Sequence, residues 1–137
     1  MRGIKIAIAE DNAADLLITR KFIEEYCHSR KIDISIDGFS TAVAYLDSKQ
    51  RYDAVFLDIE MPHMDGMELA AEIRKHDSRV VMVFVTNMAR YAVNGYRVGA
   101  IDYVLKPISA FDFSLTMDRV MGAIARVREE KSYTVKS

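Results

Sequence analysis

The chain has 137 residues, half of them hydrophobic and 28% charged, with a formal net charge of −1. That length suits one domain with a sizeable core, and the near-neutral balance supplies no field to draw the chain to nucleic acid or to an anionic membrane. The single Cys27 excludes an internal disulfide and a paired-cysteine metal site, and it fits a reducing, cytoplasmic setting.

The first apolar run, residues 4–9, is cut off by Glu10-Asp11, too early for a signal peptide or a membrane span. Residues 13–28 then carry Leu16, Ile23 and Cys27 on one helical stripe. A second strand-length run covers 32–36, followed by a short helix over 41–49. The third run, 54–57, leads to a helix over 67–75, and the fourth, 80–85, to a helix over 87–98. Asn87 is a candidate cap for that helix and Gly99 stands just past its end. After the fifth run, 101–105, residues 110–128 place Phe113, Met117, Val120, Ile124 and Val127 on one amphipathic face. The polar tail 129–137 leaves this pattern and reads as a linker or the truncated start of something else, which bounds the domain at 1–128.

Short runs that are almost wholly Val, Ile, Leu and Phe suggest strands buried on both faces. Their alternation with helices predicts an α/β fold: a doubly wound, five-stranded parallel sheet with helices on both faces and right-handed crossovers. Such a sheet binds its ligand at the carboxyl ends of the strands, near the switch in strand order.

Polar residues follow four of the five runs: Glu10-Asp11, Asp58, Thr86 and Lys106-Pro107. Gathered at one sheet edge, three carboxylates repel each other unless a cation lies among them. Oxygen donors without nearby His or Cys favour Mg2+, which binds one or two carboxylates plus a phosphate. Asp11 and Asn12 also suit a plain helix-capping role; Asp58, Thr86 and Lys106 have no such explanation. A carboxylate can attack phosphorus to make an acyl phosphate, and Asp58, at the end of the central run, is the best placed to do so. Lys106 would supply a fixed positive charge and Thr86 a short hydroxyl donor, enough for a reaction governed by positioning and charge.

Taken together, Glu10-Asp11, the segment DAVFLDIEMPHMDG, VFVT and DYVLKP resemble the receiver domain of response regulators, across roughly residues 4–125. The resemblance implies a flavodoxin-like (βα)5 fold and a signalling switch in which Asp58 takes a phosphoryl group from the phosphohistidine of a sensor histidine kinase. It implies direct Mg2+ ligation by Asp11, Asp58 and the backbone carbonyl of Glu60, with Glu10 acting mostly through water. It also implies that Thr86 and Lys106 hold the phosphoryl oxygens, that Lys106-Pro107 is cis, and that Tyr103 is an aromatic switch partner to Thr86. Tyr103 equally suits plain packing on the last helix.

Residues 85–107 look most like receivers of LytTR-type transcription regulators, which implies a C-terminal DNA-binding domain beyond this chain and no direct nucleic-acid contact by the chain itself. The implied output face is the fourth helix, fifth strand and fifth helix, with Tyr91, Tyr96 and Arg97, where family members pair as homodimers on phosphorylation. Two features depart from the commonest pattern: the acidic pair is Glu-Asp, and Glu60 and Met88 occupy positions that tune phosphate loss in the family.

Other readings fare worse. His28, His63 and His76 are scattered, and Met61, Met64 and Met67 suit adaptable packing. A Mg2+-dependent phosphatase or phosphotransferase with an aspartyl-phosphate intermediate would want a DxD pair of aspartates at its nucleophile and a cap over its pocket; Asp58 is followed by Ile59-Glu60, and no insertion could form a cap. A phosphorylation-independent binding module would have no use for the complete set. The expectation is a switch that catalyses only its own phosphorylation and dephosphorylation.

Overall fold

The computed structural model describes residues 3–136, with side chains to residue 131. Five strands, β1 (Ile4–Ala9), β2 (Ile34–Phe39), β3 (Ala54–Leu57), β4 (Val81–Thr86) and β5 (Asp102–Leu105), form one parallel sheet in the order β2-β1-β3-β4-β5. Between and after them run α1 (Ala13–Ser29), α2 (Ala42–Ser48), α3 (Gly66–His76), α4 (Ala92–Arg97) and α5 (Ala110–Lys136). Strand order reverses between β1 and β3, so the doubly wound expectation holds.

Side chains that alternate along each strand feed two cores. Ile4, Ile6 and Ile8 pack with Phe56 and Val83 against Ile23 of α1 and Phe113, Met117 and Ile124 of α5. Ala7, Ala9, Val55, Leu57 and Phe84 face the other way, against Tyr45 of α2 and Leu69 and Ile73 of α3. The two central strands β3 and β4 are buried throughout, which is why they read as unbroken apolar runs.

The elements that depart from expectation lie at the edges. Strand β2 begins two residues late and runs through Asp37 and Gly38, because its register with β1 pairs Ile4 with Ile34 and Ala9 with Phe39. Ile32 instead closes the end of α1, its N–H donating to Cys27 O at 2.9 Å. As an edge strand, β2 alternates between half-buried and exposed and so tolerates Asp37, whose carboxylate accepts from the Tyr52 hydroxyl at 2.6 Å.

Asn87 does not cap a helix. The N–H of Met88 donates to Thr86 Oγ1 at 3.2 Å and that of Ala89 to Asn87 O at 3.1 Å. These turns delay helix entry to a 3-10 segment, Ala89–Tyr91, ahead of the two-turn α4. Gly99 follows α4 with φ +71°, as its place just past the helix end suggested.

The tail does not leave the helix either: α5 continues to Lys136. Arg128 holds its last third against the sheet, donating to Asp53 Oδ2 at 3.0 Å and to Gly3 O at 3.2 Å. Among the described residues no helix is long and apolar enough to cross a membrane; Ser137 lies outside them.

Candidate functional site

Backbone pairing carries the polar residues to one edge. Glu10 N–H donates to Phe39 O at 2.9 Å, Asp58 N–H to Ala9 O at 3.0 Å and Lys106 N–H to Thr86 O at 3.0 Å, so the parallel ladder extends one residue past each strand. Glu10 and Asp58 are 3% and 5% exposed and Thr86 is fully buried, which takes these groups out of bulk water. Gly66, the first residue of α3, lets the loop after β3 fold back on itself: a Cβ there would stand 1.9 Å from Asp58 O. An Asp65–Glu68 capping box starts that helix, so the loop holding Asp58 is pinned at both ends.

Lys106 occupies the centre. Its Nζ donates to Glu10 Oε1 at 2.7 Å, Asp15 Oδ2 at 2.6 Å and Asp58 Oδ2 at 2.7 Å, so each of its three N–H bonds has an anionic acceptor. The Lys106-Pro107 peptide bond that begins the next loop is cis. Asp58 Oδ1 accepts from the Glu60 N–H at 3.2 Å, and Thr86 Oγ1 accepts from the Met88 N–H at 3.2 Å.

These contacts set the charges. Burial opposes charge on Asp58, but the hydrogen bonds from Lys106, Thr86 and Glu10 outweigh it and hold its pKa below the ordinary value. Glu10 lies nearer the balance: burial, helped by the charge of Asp58, pushes it up to about 7 despite the bond from Lys106. Burial also works against charge on Lys106, yet the three carboxylates raise its pKa well above the usual lysine value. The ammonium therefore stays protonated at neutral pH, while Asp58 stays ionised.

Sequence reasoning and structure differ on the third acid. Glu10, Asp15 and Asp58 offer carboxylate oxygens within 4.8 Å of one another, whereas Asp11 is exposed and outside that group among the described residues. The pattern of polar residues at strand ends does not mark Asp15, which lies inside α1. The clue was its place in the first turn of α1, where an acid also suits the positive helix end. The side chain of Glu60 is exposed.

Tyr103 is half-buried, its ring 5.7 Å from that of Phe84 and close beneath Gly95 of α4, with its hydroxyl donating to the carbonyl of Met88. It thus joins β5 to the loop that follows Thr86. Tyr91 packs on the α2–α3 core, but Tyr96 is 86% exposed. His28, His63 and His76 are exposed, and Met61, Met64 and Met67 pack against the core.

A buried carboxylate at the centre of a parallel sheet, crossed by a lysine from the last strand and bordered by further acids, is the arrangement of a phospho-accepting receiver. The chain matches the response regulator receiver domain over residues 6–117 and belongs to that family. Phosphoryl acceptance and Mg2+ binding at an acidic pocket are typical of it. Among similar proteins, the transcriptional regulatory protein NatR of Bacillus subtilis is 32% identical over 119 residues, covering 86% of this chain and 50% of NatR. The sensory transduction protein LytT of Oceanobacillus iheyensis is 35% identical over 92 residues, 63% of this chain and 37% of LytT. The response regulatory domain of mrkE from Klebsiella pneumoniae superposes with a TM-score of 0.80 at 26% identity, covering 90% of this chain and 99% of that domain. The chain spans about half the length of the curated relatives it matches.

Proposed function

We propose that Asp58 is the phosphoacceptor of a Mg2+-dependent switch driven by a sensor histidine kinase. The observation that carries this reading is the Lys106 ammonium 2.7 Å from a buried, ionised Asp58 carboxylate, with the buried Thr86 at the end of the neighbouring strand. An Asp58 oxygen attacks phosphorus, and the bond to the donor breaks with its electron pair leaving on the donor, a neutral imidazole when the donor is phosphohistidine. Lys106 and Thr86 stand where a phosphoryl group on Asp58 would need a cation and a donor. The domain catalyses this step and the loss of its own phosphate, and no other substrate is involved.

The donor set fits Mg2+: clustered carboxylate oxygens, hard and anionic, with more negative charge than Lys106 neutralises alone. Asp58, with Glu10, Asp11 and the Glu60 carbonyl, would hold the ion. When bound, it supplies positive charge that screens the carboxylates and the incoming phosphoryl oxygens.

Tyr103 is the switch partner of Thr86 in this reading, since its hydroxyl already ties β5 to the loop after Thr86. The output is transcriptional and LytTR-type, supported by the similarity to LytT and NatR, through a C-terminal DNA-binding domain reached by residues 129–137. The phosphorylated domain pairs with a second copy through α4, β5 and α5, and the protein works in the cytoplasm.

The decisive experiment is labelling. With Mg2+ and a small phosphodonor, the domain gains one acid-labile phosphate, and Asp58→Asn takes up none. Undiminished labelling of that variant would sink the assignment.

A further inference from the structure

The carboxylates around Lys106 are not equivalent. The side chains of Glu10 and Asp58 are 4% and 5% exposed, but that of Asp15 is 33% exposed. Asp15 is therefore the outer acid, on the solvent side of an otherwise sealed cluster. A cavity of about 420 Å3 opens beside it, lined by Asp15, Thr19, Asn87, Lys106 and Pro107 together with apolar side chains of α1 and the following loop. Lys106 is the one cation lining that cavity among the described residues, and Asp15 at 2.6 Å offsets its charge there.

We propose that Asp15 is a donor-selecting residue: its carboxylate, which lines the same cavity as Lys106 and is the most exposed of the three acids on that ammonium, repels small dianionic phosphodonors from Asp58. The proposal rests on Asp58 being the phosphoacceptor. An anion that diffuses in freely has no contacts elsewhere on the protein to offset that repulsion. A phosphoryl group delivered by a docked protein does, because contacts elsewhere hold it in place. The selection acts through the electric field at the entrance, so it scales with the charge of the donor and fades as salt screens it.

Two small donors separate this role from a structural one. Acetyl phosphate is a dianion at neutral pH; as Asp58 attacks, its P–O bond breaks and acetate leaves with the electron pair. Phosphoramidate is a zwitterion of net charge −1; its P–N bond breaks and ammonia leaves with the pair, already carrying its protons. The apparent second-order rate of labelling is measured with each donor at saturating Mg2+ for the wild-type chain, Asp15→Asn, Asp15→Glu and Asp58→Asn. Asn removes the charge but keeps an oxygen that accepts from Lys106.

For Asp15→Asn the rate rises about tenfold with acetyl phosphate and about threefold with phosphoramidate, and the gap narrows as salt is added. Asp15→Glu stays close to wild type. An equal change with both donors, or slower labelling with both, overturns the proposal and leaves Asp15 as a support for Lys106 and the start of α1. Wild-type chain that labels on Asp58 while the donor ratio ignores residue 15 refutes the selection role alone. Wild-type chain that takes no label from either donor removes the phosphoacceptor reading and this proposal with it.

Discussion

Lys106 has three N–H bonds to give, and Glu10, Asp15 and Asp58 take all three at 2.6–2.7 Å. Removing one member of a buried ion cluster strands the charges that remain, typically at a cost of about 3–5 kcal/mol. Lys106→Ala should therefore lower the unfolding free energy of the metal-free domain by about 3 kcal/mol at pH 8. Glu10 is pushed up to about 7 even with Lys106 bonded to it; without that bond it takes up a proton at higher pH still, which relieves part of the repulsion. The deficit is thus expected to shrink toward pH 6, and Mg2+ should also reduce it by replacing the lost cation. Urea denaturation at the two pH values, with and without Mg2+, measures each part; a deficit indifferent to both would mean that Lys106 does not hold the acids together.

Among the elements, the loop from β3 into α3 is the most constrained near Asp58, and α4 the least. In the first, Asp65 Oδ1 accepts from the Glu68 N–H at 2.8 Å while Glu68 Oε1 accepts from the Asp65 N–H at 3.0 Å, and Gly66 N–H donates to Ile59 O at 3.0 Å. Asp65→Ala removes the cap and should lower stability by about 1 kcal/mol. Since the cap anchors the loop that begins at Asp58, labelling by small phosphodonors should slow as well; a full stability loss with unchanged labelling would uncouple the helix start from the site. Helix α4 has no side-chain cap, only two turns and a half-exposed surface around Gly95. Few tertiary anchors make it the element with least to lose on rearranging, and Tyr103 is packed directly beneath it.

Across the molecule, two cores enclose weak acids that stay neutral when folded. Burial, reinforced by the hydrogen bond to Asp118, pushes Tyr26 up to about 12; burial, helped by the charge of Asp77, raises Tyr45 to about 12, and burial raises Cys27 to about 11 against the opposing charge of Arg30. In the unfolded chain these groups ionise near their ordinary values, about 8.5 for cysteine and 10 for tyrosine. The folded state then holds the protons longer, so their contribution is complete below about pH 8.5 and is lost as pH climbs toward 12. Unfolding free energy measured by denaturant at stepped pH should fall through that window. In Tyr26→Phe the alkaline fall should be shallower, with about 1 kcal/mol lost at neutral pH for the missing hydrogen bond. An alkaline limb identical in both proteins would show that Tyr26 plays no part in it.

The buried strands were legible from residue type alone, because β1, β3 and β4 are covered on both faces and can carry little but apolar side chains. The same pattern placed Asp58, Thr86 and Lys106 at strand ends, where the parallel ladder had to bring them together. Edge β2 and the extension of α5 were not legible, since partners distant in sequence decide them, the register with β1 and the Arg128–Asp53 pair; at the entry to α4 the Thr86 hydroxyl takes the Met88 N–H and so competes locally with a cap at Asn87. Asp15 belongs to this second group. Its sequence position marks only a first-turn acid on a helix; its place on Lys106 exists because α1 and the end of β5, 91 residues apart in the chain, meet at one edge of the sheet. The local alternation of strand and helix was written in the side chains, while the identity of the third acid depended on where two distant segments were packed.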